Sequence, residues 1–366
     1  MICKELESLM KKLLILVLAL CCLVSATAVA ENIVCDTTDR QIMVRTLQPD
    51  GTLADNPVIE GISSVTGLPW EGRYMPVLCQ IDNTDGGIGA RAPWGASKAS
   101  IVYEAPLNRN GANRLTFLFA DEMPESAGPV RSARPVHLYL RQEWGGGLAH
   151  WGGPDSNTYG LKKTKKDLGV SRLQAFFDGT TGGKAWNEFM GRVQGLASPH
   201  NAYAGIAQLQ NLLGDDIIPT NHTFLFTDEI PEDRPAAKAI TVTWKGDNTF
   251  DSYYLFNEET DTYDRFSCEQ PYVDKDNGEQ LSFANVIVQR SLTSYGNGGA
   301  APYTYSIGCG NADIFQGGHY IAGYWMHLDA NSRTVYFDEN GNELKLLRGK
   351  TFILLTGDET LITYEN

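Results

Sequence analysis

The first half of the chain alternates between short apolar runs and turn residues. Three runs bounded by glycine, proline or asparagine predict buried β-strands: 76–81, 99–104 and 115–120. Three stretches with apolar residues at helical spacing predict helices: 136–142, 184–190 and 202–213. Strands mixed with helices in this way predict an α/β or α+β layered domain over residues 71–230.

In the second half the pattern is that of strands alone. Seven runs predict β-strands: 239–244, 252–256, 285–289, 303–307, 321–328, 334–337 and 350–355. Turn residues separate the runs, and Asn340-Gly341 favours a tight hairpin. A charged, proline-bearing stretch precedes the first run and predicts a linker over 231–238. The sequence therefore predicts a mainly β domain over 239–366.

The first 30 residues have the pattern of a secretory signal. Lys11 and Lys12 precede an unbroken apolar run, 13–24, and Ala28-Val29-Ala30 fits a cleavage site. The apolar run is shorter than the ~20 residues that span a bilayer, so an uncleaved anchor is the less favoured alternative. We predict a signal peptide over 1–30, a polar lead-in segment over 31–70 and no transmembrane segment in the mature chain. The protein is then secreted or held at the extracellular face of the cell membrane.

The cysteines leave two questions open. Cys21 lies where a bacterial lipoprotein signal carries its lipid-modified cysteine, but bulky Leu20 replaces the small residue that such signals have before it. Lipid attachment at Cys21 is therefore an alternative to cleavage after Ala30. Four cysteines follow the signal: Cys35, Cys79, Cys268 and Cys309. Export permits disulfides, with Cys268–Cys309 as the favoured pair, and buried thiols are the alternative.

Composition and charge narrow the function. Hydrophobic residues make up 42% of the chain and aromatic residues 10%, which is typical of a globular protein with a core. The formal net charge of -14 argues against nucleic-acid binding, which needs a basic face. The sequence has no P-loop, dinucleotide-binding or HExxH motif, and it identifies neither a cofactor nor a metal site.

Acidic and amide side chains occupy the ends of the predicted strands. Asp82 and Asn83 follow the first buried strand and lead into a glycine-rich loop, where many α/β domains bind ligands. Glu104 ends the second strand. We expect these three residues to line a ligand site. Alternatively, Asp82 and Asn83 only shape a turn by bonding to their own backbone.

An arginine-rich loop, 128–135, follows the third strand and enters a predicted helix. It carries Arg131 and Arg134, and Arg114 lies on the strand before it. Guanidinium groups bind phosphate or carboxylate in a planar, two-pronged way, and a helix start adds free N–H groups. The loop therefore predicts an anion site. The alternative is that these arginines neutralise acidic residues: Asp82, Glu104 or Asp121.

Two loops with histidine complete the candidate site. We expect His150, Asp155, His200 and Asn201 to line the same cleft as the arginines. His150 fits a role as an acid–base group or ligand, and a structural histidine is the alternative. No Gly-x-Ser-x-Gly motif is present, so a hydrolytic triad is not favoured.

These segments resemble the YerB-like lipoproteins, a bacterial envelope family of unassigned function. The resemblance covers roughly 75–366 and depends on a set of motifs: Pro76 to Asn83, Ala99 to Glu104, Arg114, Gly128 to Pro135, His150-x-Gly-Gly, Pro199-His200-Asn201-x-Tyr203, Phe315 to Gly323, Trp325 and the glycine-containing turns within 338–351. The chain departs from that family in lacking a good lipid-attachment cysteine and in the loop 108–111. Both departures bear on membrane anchoring.

We therefore expect an extracytoplasmic envelope protein whose Arg114, Arg131 and Arg134 receive an anionic group of a cell-wall or envelope ligand. Asp82 and Glu104 would orient those arginines or hold a divalent cation. One alternative is a metal-assisted phosphoryl or glycosyl-phosphate transferase acting on cell-wall polymers, with Asp82 binding Mg²⁺. Another is an envelope module that docks a partner protein through its β domain.

Overall fold

The computed structural model describes residues 28–29, 53–108, 112–155, 159–170, 175–215, 217–244, 251–295, 302–357 and 360–366. Most of the predicted signal peptide and lead-in segment, together with Cys21 and Cys35, lies outside the described residues. None of the helices within those ranges has the length and apolar content needed to cross a membrane.

The described residues are mostly β-sheet. The strands are β1 Ala28–Val29, β2 Val77–Asp82, β3 Ile101–Pro106, β4 Asn113–Phe119, β5 Gly147–His150, β6 Phe176–Asp178, β7 Met190–Arg192, β8 Ala202–Ala204, β9 Leu225–Thr227, β10 Ala239–Thr243, β11 Ser252–Asn257, β12 Thr262–Ser267, β13 Gln270–Pro271, β14 Ser282–Phe283, β15 Asn285–Arg290, β16 Thr293–Ser294, β17 Tyr303–Thr304, β18 Gly308–Gln316, β19 His319–His327, β20 Val335–Asp338, β21 Lys345–Leu347, β22 Thr351–Thr356 and β23 Leu361–Glu365. The α-helices are α1 Pro135–Trp144, α2 Gly160–Asp167 and α3 Ile206–Asn211. Short 3-10 helices occupy Thr84–Gly87, Gly89–Arg91, Ala96–Lys98 and Ala185–Glu188.

A mixed ten-stranded sheet, which we call the large sheet, combines strands from both halves of the chain. Its order is β20-β19-β18-β15-β22-β3-β4-β2-β5-β6. The two halves meet where β22 and β3 pair in parallel, with Thr351 opposite Ile101 and Leu354 opposite Glu104. The segments predicted as an α/β domain and a mainly β domain therefore share one continuous sheet, although a charged stretch separates them in the sequence.

A second, antiparallel sheet packs on one face of the large sheet. Its order is β1-β23-β10-β11-β12-β13, and β14 also pairs with β12. Phe352 of β22 contacts the rings of Tyr254 and Phe283 edge-on, with ring centroids 5.4 and 5.0 Å apart. All three side chains are buried, and such aromatic pairs add to the stability gained from burying their area. The main core lies between these two sheets.

Helix α1 covers part of the opposite face of the large sheet. Val136, Leu140 and Trp144 are buried in one cluster with Leu78 of β2. The indole N–H of Trp144 donates to the hydroxyl of Tyr103 at 2.7 Å, which satisfies its only polar atom. Because α1 begins directly after the arginine-rich loop, this packing fixes where the loop ends.

The stretch 231–238, predicted as a linker, is packed against the rest of the protein. Ala237 is fully buried, and its N–H donates to the carbonyl of Gly318 at 2.7 Å. The N–H of Lys238 donates to the carbonyl of Glu365 at 2.6 Å. Backbone hydrogen bonds therefore tie this stretch to the β18–β19 turn and to the last strand.

The cysteines with described positions lie apart from one another. Cys268 follows β12 and approaches Gly86, whereas Cys309 in β18 packs near Met326. No disulfide joins these two cysteines, so the favoured pairing is not formed. Cys79 lies in the core between the two sheets, where burial raises the pKa of its thiol.

Ile353→Ala should lower the free energy of unfolding by about 2–5 kcal/mol, because Ile353 is fully buried in β22 between β15 and β3. Since the sheet is continuous, β2–β4 and β15–β19 should lose amide protection at the same denaturant concentration. Hydrogen exchange at rising urea would measure both effects. Leu361→Ala, at a side chain that is 51% exposed, is the control and should have little effect. Loss of protection in one half at a lower urea concentration than in the other would contradict the single-sheet interpretation.

Candidate functional site

The carboxylate of Asp82 is the centre of the candidate site. Asp82 ends β2, and its side chain is fully buried. Its Oδ1 accepts hydrogen bonds from Arg114 Nη1 at 3.0 Å and from the backbone N–H and hydroxyl of Thr84 at 3.0 and 2.6 Å. Its Oδ2 accepts a hydrogen bond from His200 Nδ1 and lies 3.8 Å from Arg131 Nε. Both carboxylate oxygens are therefore engaged by donors.

Strand register brings Asp82 and Arg114 together. The antiparallel pairing of β2 with β4 sets Asp82 directly opposite Arg114, so both side chains lie on the same face of the large sheet. Burial would raise the pKa of Asp82. The Arg114 guanidinium and the hydrogen bonds from His200 and Thr84 outweigh burial and hold the pKa of Asp82 below its usual value. Asp82 is therefore anionic at neutral pH.

Backbone hydrogen bonds fasten the arginine-rich loop to the end of β2. The N–H of Asp82 donates to the carbonyl of Pro129 at 2.8 Å, and the N–H of Arg131 donates to the carbonyl of Gln80 at 2.8 Å. These bonds place Arg131 over the Asp82 carboxylate while leaving its side chain 24% exposed. Arg131 and Arg134 are both partly exposed, so solvent reaches the cluster at the arginine-rich loop.

The arginines near Asp82 carry more charge than the cluster neutralises. Among the described residues, Asp82 is the only carboxylate that forms an ion pair with Arg114, Arg131 or Arg134. Arg134 Nη1 donates instead to the hydroxyl of Ser132 at 3.0 Å and to the carbonyl of Ala133 at 2.9 Å. Two of the three positive charges therefore remain unmatched.

Burial and mutual repulsion both act on these arginines. Burial and the charges of Arg131 and Arg134 together lower the pKa of Arg114 to about 10, against the opposing effect of Asp82. Burial and the charge of Arg131 likewise lower the pKa of Arg134 to about 10. Arg114 and Arg134 therefore remain protonated at neutral pH. The Nε atoms of Arg114, Arg131 and Arg134 are buried without a hydrogen-bond acceptor in the described part of the chain.

Glu104 and Asn83 belong to a second buried cluster, on the face that meets the second sheet. Glu104 Oε2 lies 3.5 Å from Arg265 Nη2, and neither side chain is exposed. Asn83 Nδ2 donates to Glu104 Oε1 at 3.0 Å, and the hydroxyl of Tyr272 donates to Asn83 Oδ1 at 3.0 Å. Burial raises the pKa of Glu104 to about 7, although Arg265 opposes that rise. This cluster therefore connects the large sheet to the second sheet and is not part of the cluster around Arg114, Arg131 and Arg134.

Two buried histidines lie beside the arginines. His150 ends β5, and its Nδ1 lies 2.9 Å from the carbonyl of Gly152, so Nδ1 carries the proton. His137 in α1 is the reverse case, because its Nδ1 accepts the N–H of Arg134 at 2.8 Å. Burial lowers the pKa of both histidines, and the charges of Arg134 and Arg114 lower that of His137 further. Both rings are therefore neutral at neutral pH.

Asp155 and Asn201 make their hydrogen bonds within loops around the site. Asp155 is exposed, and its Oδ1 accepts the N–H of Lys162 at 2.6 Å in the first turn of α2. Asn201 Oδ1 accepts from Arg192 Nη1 at 2.7 Å, and its amide donates to the carbonyl of Val193. The structure thus brings Asp82, Arg114, Arg131 and His200 into direct contact, with Arg134 and His150 beside them. It places the remaining sequence-predicted residues outside that contact group.

The sequence interpretation missed several residues of these clusters. Thr84 could have been found, because a threonine two residues after an aspartate often bonds to it in a turn. His137 could also have been found, because it is a polar residue on the apolar face of a predicted helix. Arg265 and Tyr272 gave none, because they reach Glu104 only through the packing of the second sheet.

Comparison with known proteins identifies relatives that match most of the chain. Two family models match the chain: the N-terminal domain of DUF3048, a family of unknown function, over residues 65–217, and the DUF3048 C-terminal domain over residues 240–353. Asp82 and the three arginines lie in the first match, and Arg265 lies in the second. The matches leave out the whole stretch predicted as a linker, 231–238.

One relative is known both as a curated protein and as a solved structure. "Putative lipoprotein YerB" of Bacillus subtilis (strain 168) is 27% identical over 305 residues, covering 80% of this chain and 86% of that protein. A crystal structure of the YerB protein from Bacillus subtilis matches with a TM-score of 0.67 and 21% identity, covering 82% of this chain and 99% of that chain. At that identity the structural likeness shows a shared fold alone.

Asp82→Asn should lower the free energy of unfolding by about 3–5 kcal/mol at pH 7, because it leaves Arg114 as a buried, unpaired charge. The folded-state pKa of Asp82 is below its value of ~3.9 in an unfolded chain. Its stabilising contribution is therefore complete above that value and is lost as the pH falls through the folded-state pKa. The difference between wild type and variant should shrink below about pH 4, as measured by urea unfolding across pH.

Asp155→Asn is the matched control for this prediction. Asp155 is exposed and outside the cluster, so its substitution should change the free energy of unfolding by less than about 1 kcal/mol. A penalty for Asp82→Asn that was equally large at pH 3 and pH 7 would show that the charge of Asp82 is not what stabilises the cluster.

Proposed function

The chain belongs to the DUF3048 family and its motifs resemble the YerB-like proteins, and on that premise we propose that it is a bacterial envelope protein that binds an anionic ligand through Arg131, Arg134 and Arg114. The lipoprotein description of the Bacillus subtilis relative supports an envelope location. The predicted export signal points to the same compartment. The family itself assigns no ligand, so the chemistry of the site carries the proposal.

The single observation behind the proposal is the excess of guanidinium groups over carboxylates at a partly exposed position. Each buried donor left without an acceptor costs about 1–3 kcal/mol. A bound phosphate or carboxylate would supply the missing acceptors and the missing negative charge at once. The start of α1, directly after the loop, adds the favourable potential of a helix N-terminus.

The alternative in which these arginines only neutralise acidic residues has less support. Glu104 pairs with Arg265 on the other face of the sheet. Asp121 accepts hydrogen bonds from the hydroxyls of Ser63 and Thr66 at 2.7 and 2.6 Å. Only Asp82 remains to balance the three arginines.

The metal-assisted transferase is the weaker candidate on the same geometry. It needs a free carboxylate oxygen on Asp82 for Mg²⁺, yet both oxygens accept hydrogen bonds from Arg114, Thr84 and His200. Asp82 is better suited to orienting the arginines.

In this proposal the α/β layer of residues 71–230 supplies the ligand site. The mainly β part, 239–366, supports it from the opposite face through Arg265.

Arg131→Ala should abolish stabilisation of the protein by small anions. A ligand at a hundred times its dissociation constant adds ~2.7 kcal/mol to the free energy of unfolding, which is seen as a raised Tm. Thermal unfolding of the purified chain with phosphate, pyrophosphate or acetate would measure this effect. Arg73→Ala is the control, because Arg73 is 70% exposed and pairs only loosely with exposed Asp215 at 3.9 Å.

The outcomes separate a binding role from a structural one. The proposal expects a Tm rise with at least one anion in wild type and in Arg73→Ala, and no rise in Arg131→Ala. If Arg131→Ala and Arg134→Ala lowered stability but responded to anions as wild type does, the arginines would be structural and the proposal would fail.

A further inference from the structure

The unsatisfied hydrogen-bonding atoms around the arginines point to the class of anion. We propose that the site prefers a phosphate group that carries one proton, as in hydrogen phosphate or the singly protonated form of a phosphomonoester, over anions that lack a hydroxyl, such as sulfate and phosphodiesters. This inference rests on the proposed anion-binding function and narrows it to one ligand chemistry.

Six buried side-chain atoms without a hydrogen-bond partner in the described structure belong to residues around the ends of β2 and β5. They are Gln80 Nε2, Arg114 Nε, Arg131 Nε, Arg134 Nε, His137 Nε2 and His150 Nε2. Native structures rarely leave buried polar atoms unpaired, so a concentration of them around one strand end calls for a ligand or an ordered water.

Strand register and helix packing put these residues on one side of the large sheet. Gln80 is two residues away from both Leu78 and Asp82 along β2, so the three side chains lie on the same face of the strand, the face towards α1. His150 lies next to Gln80, one residue beyond the parallel pair Cys79–Ala149. The first turn of α1 supplies His137 from above.

Electrostatic coupling shows the same proximity. The pKa of His137 is lowered by burial and then by the charges of Arg134 and Arg114. The N–H of Trp151, the residue after His150, donates to the carbonyl of Arg131 at 2.9 Å. The pKa of Arg114 is affected by Asp82, Arg131 and Arg134. The three arginines and two histidines thus form a single cluster between the sheet and the start of α1.

The hydrogen bonds already made decide what each free atom can do. His137 Nδ1 accepts a hydrogen bond, so Nε2 of the neutral ring carries the proton and is a donor. His150 Nδ1 donates to Gly152, so its Nε2 is an unprotonated acceptor. Gln80 Nε2 and the three Arg Nε atoms are donors. The cluster therefore presents five donors and one acceptor.

An anion that fits this set must accept several hydrogen bonds and donate one. Hydrogen phosphate does both, because its three unprotonated oxygens accept and its hydroxyl donates to His150 Nε2. Sulfate and a phosphodiester have no proton at neutral pH, so an oxygen would face the lone pair of His150 Nε2. A water-mediated bond between His137 and His150 is the competing explanation, and it predicts no preference between phosphate and sulfate.

Calorimetric titration of the wild-type chain with four probes tests the inference at constant ionic strength and at pH 6, where about half of a phosphomonoester carries one proton. The probes are inorganic phosphate, sulfate, glycerol 3-phosphate and dimethyl phosphate. Inorganic phosphate should bind at least tenfold more tightly than sulfate, and glycerol 3-phosphate more tightly than dimethyl phosphate. The ratio of inorganic phosphate to glycerol 3-phosphate distinguishes free phosphate from a phosphomonoester group on a larger ligand.

Failure of this inference is distinguishable from failure of the proposed function. Equal affinity for phosphate and sulfate would overturn the inference and leave the anion site in place. No binding of any probe, together with no rise in Tm with pyrophosphate or acetate, would overturn both. These measurements need no variant, so they decide the matter even if changes in the buried cluster prevent folding.

His150→Gln provides an independent test on the acceptor itself. A glutamine amide can donate as well as accept, so the preference for phosphate over sulfate should fall from at least tenfold to below about threefold. His222→Gln is the control, because both ring nitrogens of His222 make hydrogen bonds elsewhere, to Asp55 and to the Asn331 carbonyl, each at 2.9 Å. An unchanged preference in a folded His150→Gln variant would show that His150 does not accept a hydrogen bond from the ligand's hydroxyl.

Discussion

The buried carboxylate of Asp82 is the constraint on which the site depends. A charge removed from water costs several kcal/mol unless partners replace its hydration. Here four separate elements supply those partners: β4 through Arg114, the 3-10 turn through Thr84, the arginine-rich loop through Arg131 and the loop before β8 through His200. These elements are held in one arrangement because each of them satisfies the same carboxylate. The arginines that remain in excess are consequently presented in a fixed geometry.

A second buried ion pair lies behind the first, across the same sheet. Asn83 follows Asp82 in the chain and donates to Glu104, which pairs with Arg265 of the second sheet. The two carboxylates respond differently to burial. Asp82 has a charged hydrogen bond at 3.0 Å and further donors, so its pKa falls, whereas Glu104 has a looser ion pair at 3.5 Å and its pKa rises to about 7. The carboxylate of Asp82 therefore stays ionised in the site at neutral pH. The Glu104–Arg265 pair instead connects the large sheet to the second sheet.

Local patterns predicted ten of the 23 described strands but not how they assemble. The runs at 76–81 and 115–120 correspond to β2 and β4, because short apolar segments bounded by turn residues favour buried strands. The predicted helix at 202–213 is only partly helical, since Ala202–Ala204 pairs with β7 and its backbone bonds to Ala127 instead. The join between β3 and β22 depends on residues about 250 positions apart, which no window of sequence shows. Likewise, Asp82 and the arginines were identifiable from residue type, whereas Arg265 was not.

The acidity of the whole protein affects how such a site can work. With a formal net charge of -14, the distant surface repels an approaching anion rather than attracting it. At physiological salt that repulsion is screened beyond about 8 Å, so it acts only weakly on a ligand in solution. Within the cluster the surroundings are poorly polarisable, and a hydrogen bond to a guanidinium is worth more there than at the surface. Selectivity must therefore come from short-range donor and acceptor matching. A site with one acceptor among its donors provides that matching where net charge alone would not.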